Sequence, residues 1–127
     1  MPNESILVVD DNPANLKLAS ILLRLRGYDV RTAPDAEQAL KGLGCFRPRL
    51  ILMDIQLPGM DGLELTRRLK AAPQTRDIVI IALTAYAMKG DEERALAAGC
   101  DDYIAKPIDI HRLPIIIAEH LADQACP

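Results

Sequence analysis

Short apolar runs punctuate the chain at regular intervals, and each ends in a polar residue. Ile6-Leu7-Val8-Val9 stops at Asp10-Asp11, Leu50-Ile51-Leu52-Met53 stops at Asp54, and Ile78-Val79-Ile80-Ile81-Ala82-Leu83 stops at Thr84. Continuous β-branched runs of this length predict strands buried on both faces. Tyr28-Asp29-Val30-Arg31-Thr32-Ala33 alternates instead, as an edge strand does, and Tyr103-Ile104-Ala105 before Lys106 predicts a short fifth strand.

Helical patterns fill the gaps. Asn12 is placed to cap and Pro13 to open a first helix, whose apolar residues Leu16, Ala19, Leu22 and Leu23 keep the helical period up to a stop at Gly27. Asp35-Ala36-Glu37-Gln38 and Asp61-Gly62-Leu63-Glu64 both resemble capping boxes. A fourth helix is expected from about Gly90 to Ala98, closed by Gly99. A fifth follows Pro107 and carries Leu113, Ile116, Ile117, His120 and Leu121. Pro114 would delete a backbone bond inside that helix, so its start is expected to be late or distorted. His111 and His120 are both expected on it, facing solvent.

The order is thus strand then helix, five times over. Right-handed crossovers turn that order into an α/β fold, a parallel sheet with helices on both faces. At 127 residues the chain is one domain, with a core from about residue 5 to 121 and a tail over 122–127.

Composition narrows the function. Half of the residues are hydrophobic and only 3% aromatic, so the core is aliphatic and stacking platforms for single-stranded nucleic acid are scarce. A net charge of −3 leaves no electrostatic footprint for DNA or RNA. No run approaches the ~20 apolar residues of a membrane span, and Met1 to Ser5 carries no basic residue, so no signal peptide is expected. The three cysteines, Cys45, Cys100 and Cys126, form no CxxC pair, which fits a reducing cytoplasm.

The chemistry gathers at strand ends. Asp10, Asp11, Asp54, Thr84 and Lys106 each stand at the carboxyl end of a predicted strand, and in an open α/β sheet those ends share one rim where ligands bind. Singly, a strand-end Asp is an ordinary helix cap and a Thr or Lys there is unremarkable. Together they predict three carboxylates, a hydroxyl and an ammonium in one cluster. Three carboxylates repel unless a cation joins them. Hard oxygen ligands favour Mg²⁺, which takes one or two carboxylates together with phosphate oxygens. A carboxylate beside that ion can attack phosphorus, with Lys106 and Thr84 holding the phosphoryl oxygens.

Val9-Asp10-Asp11-Asn12, Leu52-Met53-Asp54-Ile55-Gln56-Leu57-Pro58-Gly59-Met60-Asp61-Gly62, Leu83-Thr84-Ala85 and Tyr103-Ile104-Ala105-Lys106-Pro107 together resemble the receiver domain of two-component response regulators. The likeness runs from about Ser5 to Leu121. Met53 to Pro58 and Ala87 to Arg94 look most like stand-alone receivers of the DivK type, so no output domain is expected after Leu121.

The resemblance implies a flavodoxin-like (βα)5 sheet in the order 2-1-3-4-5. It implies that Asp54 accepts a phosphoryl group from a phosphohistidine of a histidine kinase or phosphotransfer protein. Asp11, Asp54 and the Gln56 carbonyl would bind Mg²⁺, or Mn²⁺ in its place, and Asp10 would act through water. Thr84 and Lys106 would bind the phosphoryl oxygens, Tyr103 would be the switch aromatic, and the Lys106-Pro107 bond would be cis. The implied protein is a cytoplasmic switch rather than a turnover enzyme, monomeric or weakly dimeric, that signals to a downstream protein and touches neither nucleic acid nor membrane.

Two other classes share parts of the pattern. A haloacid dehalogenase-like phosphohydrolase wants a second Asp two residues after the nucleophile, where Gln56 stands, and its nucleophile on the first strand. A flavodoxin-like electron carrier wants a hydroxyl-rich phosphate loop after the first strand, where Asp10-Asp11-Asn12-Pro13 would repel phosphate.

Overall fold

The apolar runs form the strands of one parallel sheet. In the computed structural model, which describes residues 4–55, 62–84, 89–105 and 108–125, the strands are β1 (Ser5–Val9), β2 (Asp29–Ala33), β3 (Leu50–Asp54), β4 (Val79–Thr84) and β5 (Asp102–Ala105). Their order is β2-β1-β3-β4-β5, as expected, with β2 and β5 at the edges. The helices between and after them are α1 (Pro13–Arg24), α2 (Ala36–Leu43), α3 (Gly62–Ala71), α4 (Lys89–Ala98) and α5 (Arg112–Ala125). The sheet differs from the pattern reading by single residues. Tyr28 and Ile78 precede their strands, while Asp54 and Thr84 are the last residues of theirs.

The two-residue strand period divides the core in two. Ile6 and Val8, Leu50 and Leu52, and Ile81 and Leu83 face one side, where Ala19 and Leu23 of α1 and Leu113, Ile117 and Leu121 of α5 cover them. Leu7 and Val9, Ile51 and Met53, and Ile80 and Ala82 face the other, under Ala36 and Ala39 of α2, Leu65 and Leu69 of α3 and Ala95 of α4. Both faces being covered is why the central strands read as unbroken apolar runs.

The helix punctuation reads as predicted where it is described. Asn12 caps α1 by accepting from the Ala14 N–H at 2.9 Å, and Asp35 caps α2 by accepting from the Gln38 N–H at 2.8 Å. Gly27 and Gly99 close their helices with φ of +91° and +111°. After α1, the Gly27 N–H reaches Arg24 O and the Tyr28 N–H reaches Leu23 O; after α4, the Gly99 and Cys100 N–H groups repeat the pattern on Leu96 O and Ala95 O. The box at Asp61 lies outside the described residues, as do Met60 and Met88.

Helix α5 starts late, as Pro114 requires. The chain begins to coil at Asp109, whose carboxylate accepts from the His111 and Arg112 N–H groups and whose carbonyl accepts from the Leu113 N–H. Pro114 has no N–H to continue that series, and the regular helix is entered at Arg112. The histidines depart from expectation. His111 is exposed but lies in the turn before α5, not on it. His120 is on α5 but not free in solvent: its ring nitrogen Nε2 lies 2.9 Å from Asp102 Oδ2 on β5.

Candidate functional site

Parallel strands bring their carboxyl ends to one rim. Asp10 follows β1 directly and stays in register with the sheet, its N–H bonded to Ala33 O at 3.2 Å. That placement buries its side chain completely. The Asn12 N–H donates to Asp10 Oδ1 at 2.9 Å and Asn15 Nδ2 donates to Asp10 Oδ2 at 3.3 Å. Asp54 ends β3, and its carboxylate is buried at 2% exposure. Asp11, one residue beyond Asp10, is exposed.

One carboxylate oxygen from each of Asp10, Asp11 and Asp54 falls within 4.8 Å of the other two. The donor set is all oxygen and all anionic, two of the three side chains are withdrawn from water, and the third stands at the mouth. That chemistry fits a hard divalent cation such as Mg²⁺ and does not fit a soft one.

Thr84 ends β4 on the neighbouring strand and is fully buried, and its Oγ1 has no hydrogen-bond partner among the described residues. A buried hydroxyl left unpaired costs about 1–3 kcal/mol, so its retention at a rim of functional groups calls for a ligand. On β5, Ala105 is paired with Thr84 and Tyr103 with Ala82. Tyr103 is partly buried and packs against the core on the α2–α3–α4 side. Lys106, Gln56 and Pro107 lie outside the described residues, and with them the ammonium, the carbonyl ligand and the cis bond expected from the sequence.

The structure adds groups that pattern reading missed. Asn15, in the first turn of α1, orients Asp10; its cue was the five-residue spacing that brings a first-turn side chain back over the strand end. Gly62 opens α3 against the back of the site, and a Cβ there would sit 2.3 Å from the Asp54 carbonyl oxygen. Its own carbonyl accepts from Thr66 Oγ1 at 2.8 Å. Asp102 and His120 are eighteen positions apart, and nothing local announces their contact. A cavity of about 530 Å³ walled by Arg47, Arg49, Gln74 and Asp77 opens at the amino ends of β3 and β4, away from the rim, and takes no part in this site.

Comparison with known proteins agrees with this geometry. The family model for the response regulator receiver domain matches residues 6–118. The polar-differentiation response regulator DivK of Brucella anthropi is 45% identical over 120 residues, covering 94% of this chain and 98% of that protein. Among solved structures, the receiver domain of a sensor histidine kinase from Pseudomonas aeruginosa, with a magnesium ion coordinated in its active-site cleft, is 41% identical. It superposes with a TM-score of 0.84 over 93% of this chain and 97% of its own. A CheY-like receiver domain protein from Methanospirillum hungatei superposes with a TM-score of 0.89 at 33% identity, covering 98% of each chain.

Proposed function

The chain belongs to the response regulator receiver family, and from that premise we propose that Asp54 accepts a phosphoryl group from the phosphohistidine of a histidine kinase or histidine phosphotransfer protein. An Asp54 carboxylate oxygen attacks phosphorus, the phosphorus–nitrogen bond of the donor breaks, and its electron pair returns to the imidazole. The observation that carries the reading is the rim itself, where the three clustered carboxylates adjoin a strand end whose buried hydroxyl, Thr84 Oγ1, has no hydrogen-bond partner among the described residues.

Asp11 and Asp54 would hold Mg²⁺ directly, with the Gln56 carbonyl, while Asp10, already engaged by the Asn12 N–H and Asn15, would act through water; Mn²⁺ would substitute. When bound, the cation offsets the negative charge of both carboxylate and phosphoryl group. The Thr84 hydroxyl then donates to a phosphoryl oxygen, which satisfies its orphaned group, and Lys106 supplies a matching positive charge.

Movement of Thr84 toward the phosphate would let Tyr103 turn inward and reshape the surface made by α4, β5 and α5, where a downstream protein docks. The protein is then a switch that catalyses only its own phosphorylation and dephosphorylation. A cytoplasmic setting suits this role, and no helix among the described residues is long and apolar enough to cross a membrane.

Incubation with acetyl phosphate and Mg²⁺ should add one base-labile phosphoryl group, seen by intact mass. Asp54→Asn should abolish it, because an amide is neither anionic nor nucleophilic. Unchanged labelling of that variant would overturn the assignment.

A further inference from the structure

The Asp102 carboxylate has two partners on two elements. Its Oδ1 accepts from the N–H of Tyr103 at 2.8 Å, and its Oδ2 meets His120 Nε2 of α5 at 2.9 Å. The contact is partly shielded, with the His120 side chain 24% exposed. Tyr103 walls two cavities of about 330 and 470 Å³, both also walled by Arg112 and Ile116 of α5. Space therefore adjoins Tyr103 on the side of α5, and its backbone N–H is held by Asp102.

Among the described residues, Leu113, Ile117 and Leu121 attach α5 to the sheet by apolar contact. Apolar contact is non-directional and tolerates small sliding, whereas a hydrogen bond fixes distance and angle. A displacement of β5 at Tyr103 is therefore passed to α5 through Asp102 and His120 with a direction that the apolar contacts alone do not impose.

We propose that Asp102 is a clip that joins the backbone of Tyr103 to α5, so that α5 moves with the switch aromatic when Asp54 is modified. This rests on the phosphoacceptor reading for its trigger, though the clip itself is a feature of the unmodified protein. Asp102 and His120 are positioning residues here; neither touches the phosphoryl group.

Two variants of His120 test it. His120→Ala removes the bond, and His120→Gln keeps a donor nitrogen at similar reach. In the unmodified protein, amide hydrogen exchange at Tyr103 should quicken by about threefold or more in His120→Ala and return close to wild type in His120→Gln, with Ile81 and Leu83 unaffected. When beryllofluoride mimics the phosphoryl group, the amide shift changes of Ile116 to Leu121 should fall to about half or less in His120→Ala and recover in His120→Gln, while those beside Asp54 persist. An unchanged Tyr103 exchange rate in His120→Ala, or an equal loss in both variants, overturns the clip. A wild-type protein whose Asp54 neighbourhood ignores beryllofluoride would instead overturn the phosphoacceptor reading, and the exchange comparison would still decide the clip.

Discussion

At the scale of single residues, position in the strand–helix unit decides what a side chain does. Asp10 and Asp54 were legible because an apolar run ending in a carboxylate marks a strand end, and strand ends meet at a rim. Gly62 was not legible in the same way. Its neighbourhood read as a helix start, but the reason for glycine is contact with the backbone of Asp54 and Ile55, which lies outside the helix. Two effects oppose each other in Gly62→Ala. Helix propensity favours alanine by about 1 kcal/mol. A Cβ placed 2.3 Å from the Asp54 carbonyl oxygen must push one backbone from another, and overpacking of that kind costs about 3 kcal/mol. The clash wins, so Gly62→Ala should lose a net of about 2 kcal/mol of stability, read as a lower urea midpoint, and weaken phosphorylation of Asp54 with it. A variant as stable as wild type would mean that α3 can shift away from β3 at little cost.

At the scale of elements, apolar runs and their alternation marked the strands, while the helical period marked the first helix and cap residues and glycine stops marked the second to fourth. Edges of elements were less legible, and the start of α5 shows why. Pro114 announced a disturbance, but the compensation comes from Asp109, five residues earlier, whose carboxylate collects two backbone N–H groups ahead of the regular helix. Those two bonds, from His111 first and then Arg112, hold the Asp109 carboxyl below its ordinary value. A group with a lowered folded pKa contributes stability above its unfolded pKa and loses it as pH falls through the folded value. The turn at His111 and Arg112 should therefore loosen as pH drops below the ordinary carboxyl value of 3.8. Asp109→Asn, whose amide oxygen still accepts a bond but does not titrate, should lack that acid-side loosening. Amide shifts of His111 followed from pH 6 downward measure it, and an identical acid response in both proteins would assign the effect to another group.

At the scale of the whole molecule, the contacts that join distant parts of the chain are what pattern could not reveal. The apolar layers follow from periodicity, but the pairing of Asp102 with His120 depends on how α5 lies over β5, which no local signal carries. The rim carries a different whole-molecule consequence, because the fold holds three carboxylates within 4.8 Å of one another. At that spacing two charges in an effective dielectric of about 20 repel by roughly 3 kcal/mol, less where Asp11 is screened by water. Asp10→Asn removes one charge at almost constant size. It also leaves one oxygen to serve both the Asn12 N–H and the Asn15 amide, a loss of about 1 kcal/mol. Of these two effects the relief of repulsion is the larger, and on their balance Asp10→Asn should be more stable than wild type in EDTA by about 1–2 kcal/mol and unfold at higher temperature. Mg²⁺ should narrow the gap, because a cation bound only to the folded state adds RT ln(1 + [L]/Kd), about 2.7 kcal/mol at a hundredfold excess over Kd. The proposed Mg²⁺ site would face the ion with three carboxylate charges in wild type, that of Asp10 through water, and with two in the variant, so wild type should gain more from the same concentration. Thermal unfolding of both proteins in EDTA and across a Mg²⁺ titration tests the pair of statements together. If Asp10→Asn is the less stable protein in EDTA, the hydrogen bonds to Asp10 outweigh its repulsion, and the rim is a structural joint before it is a metal site.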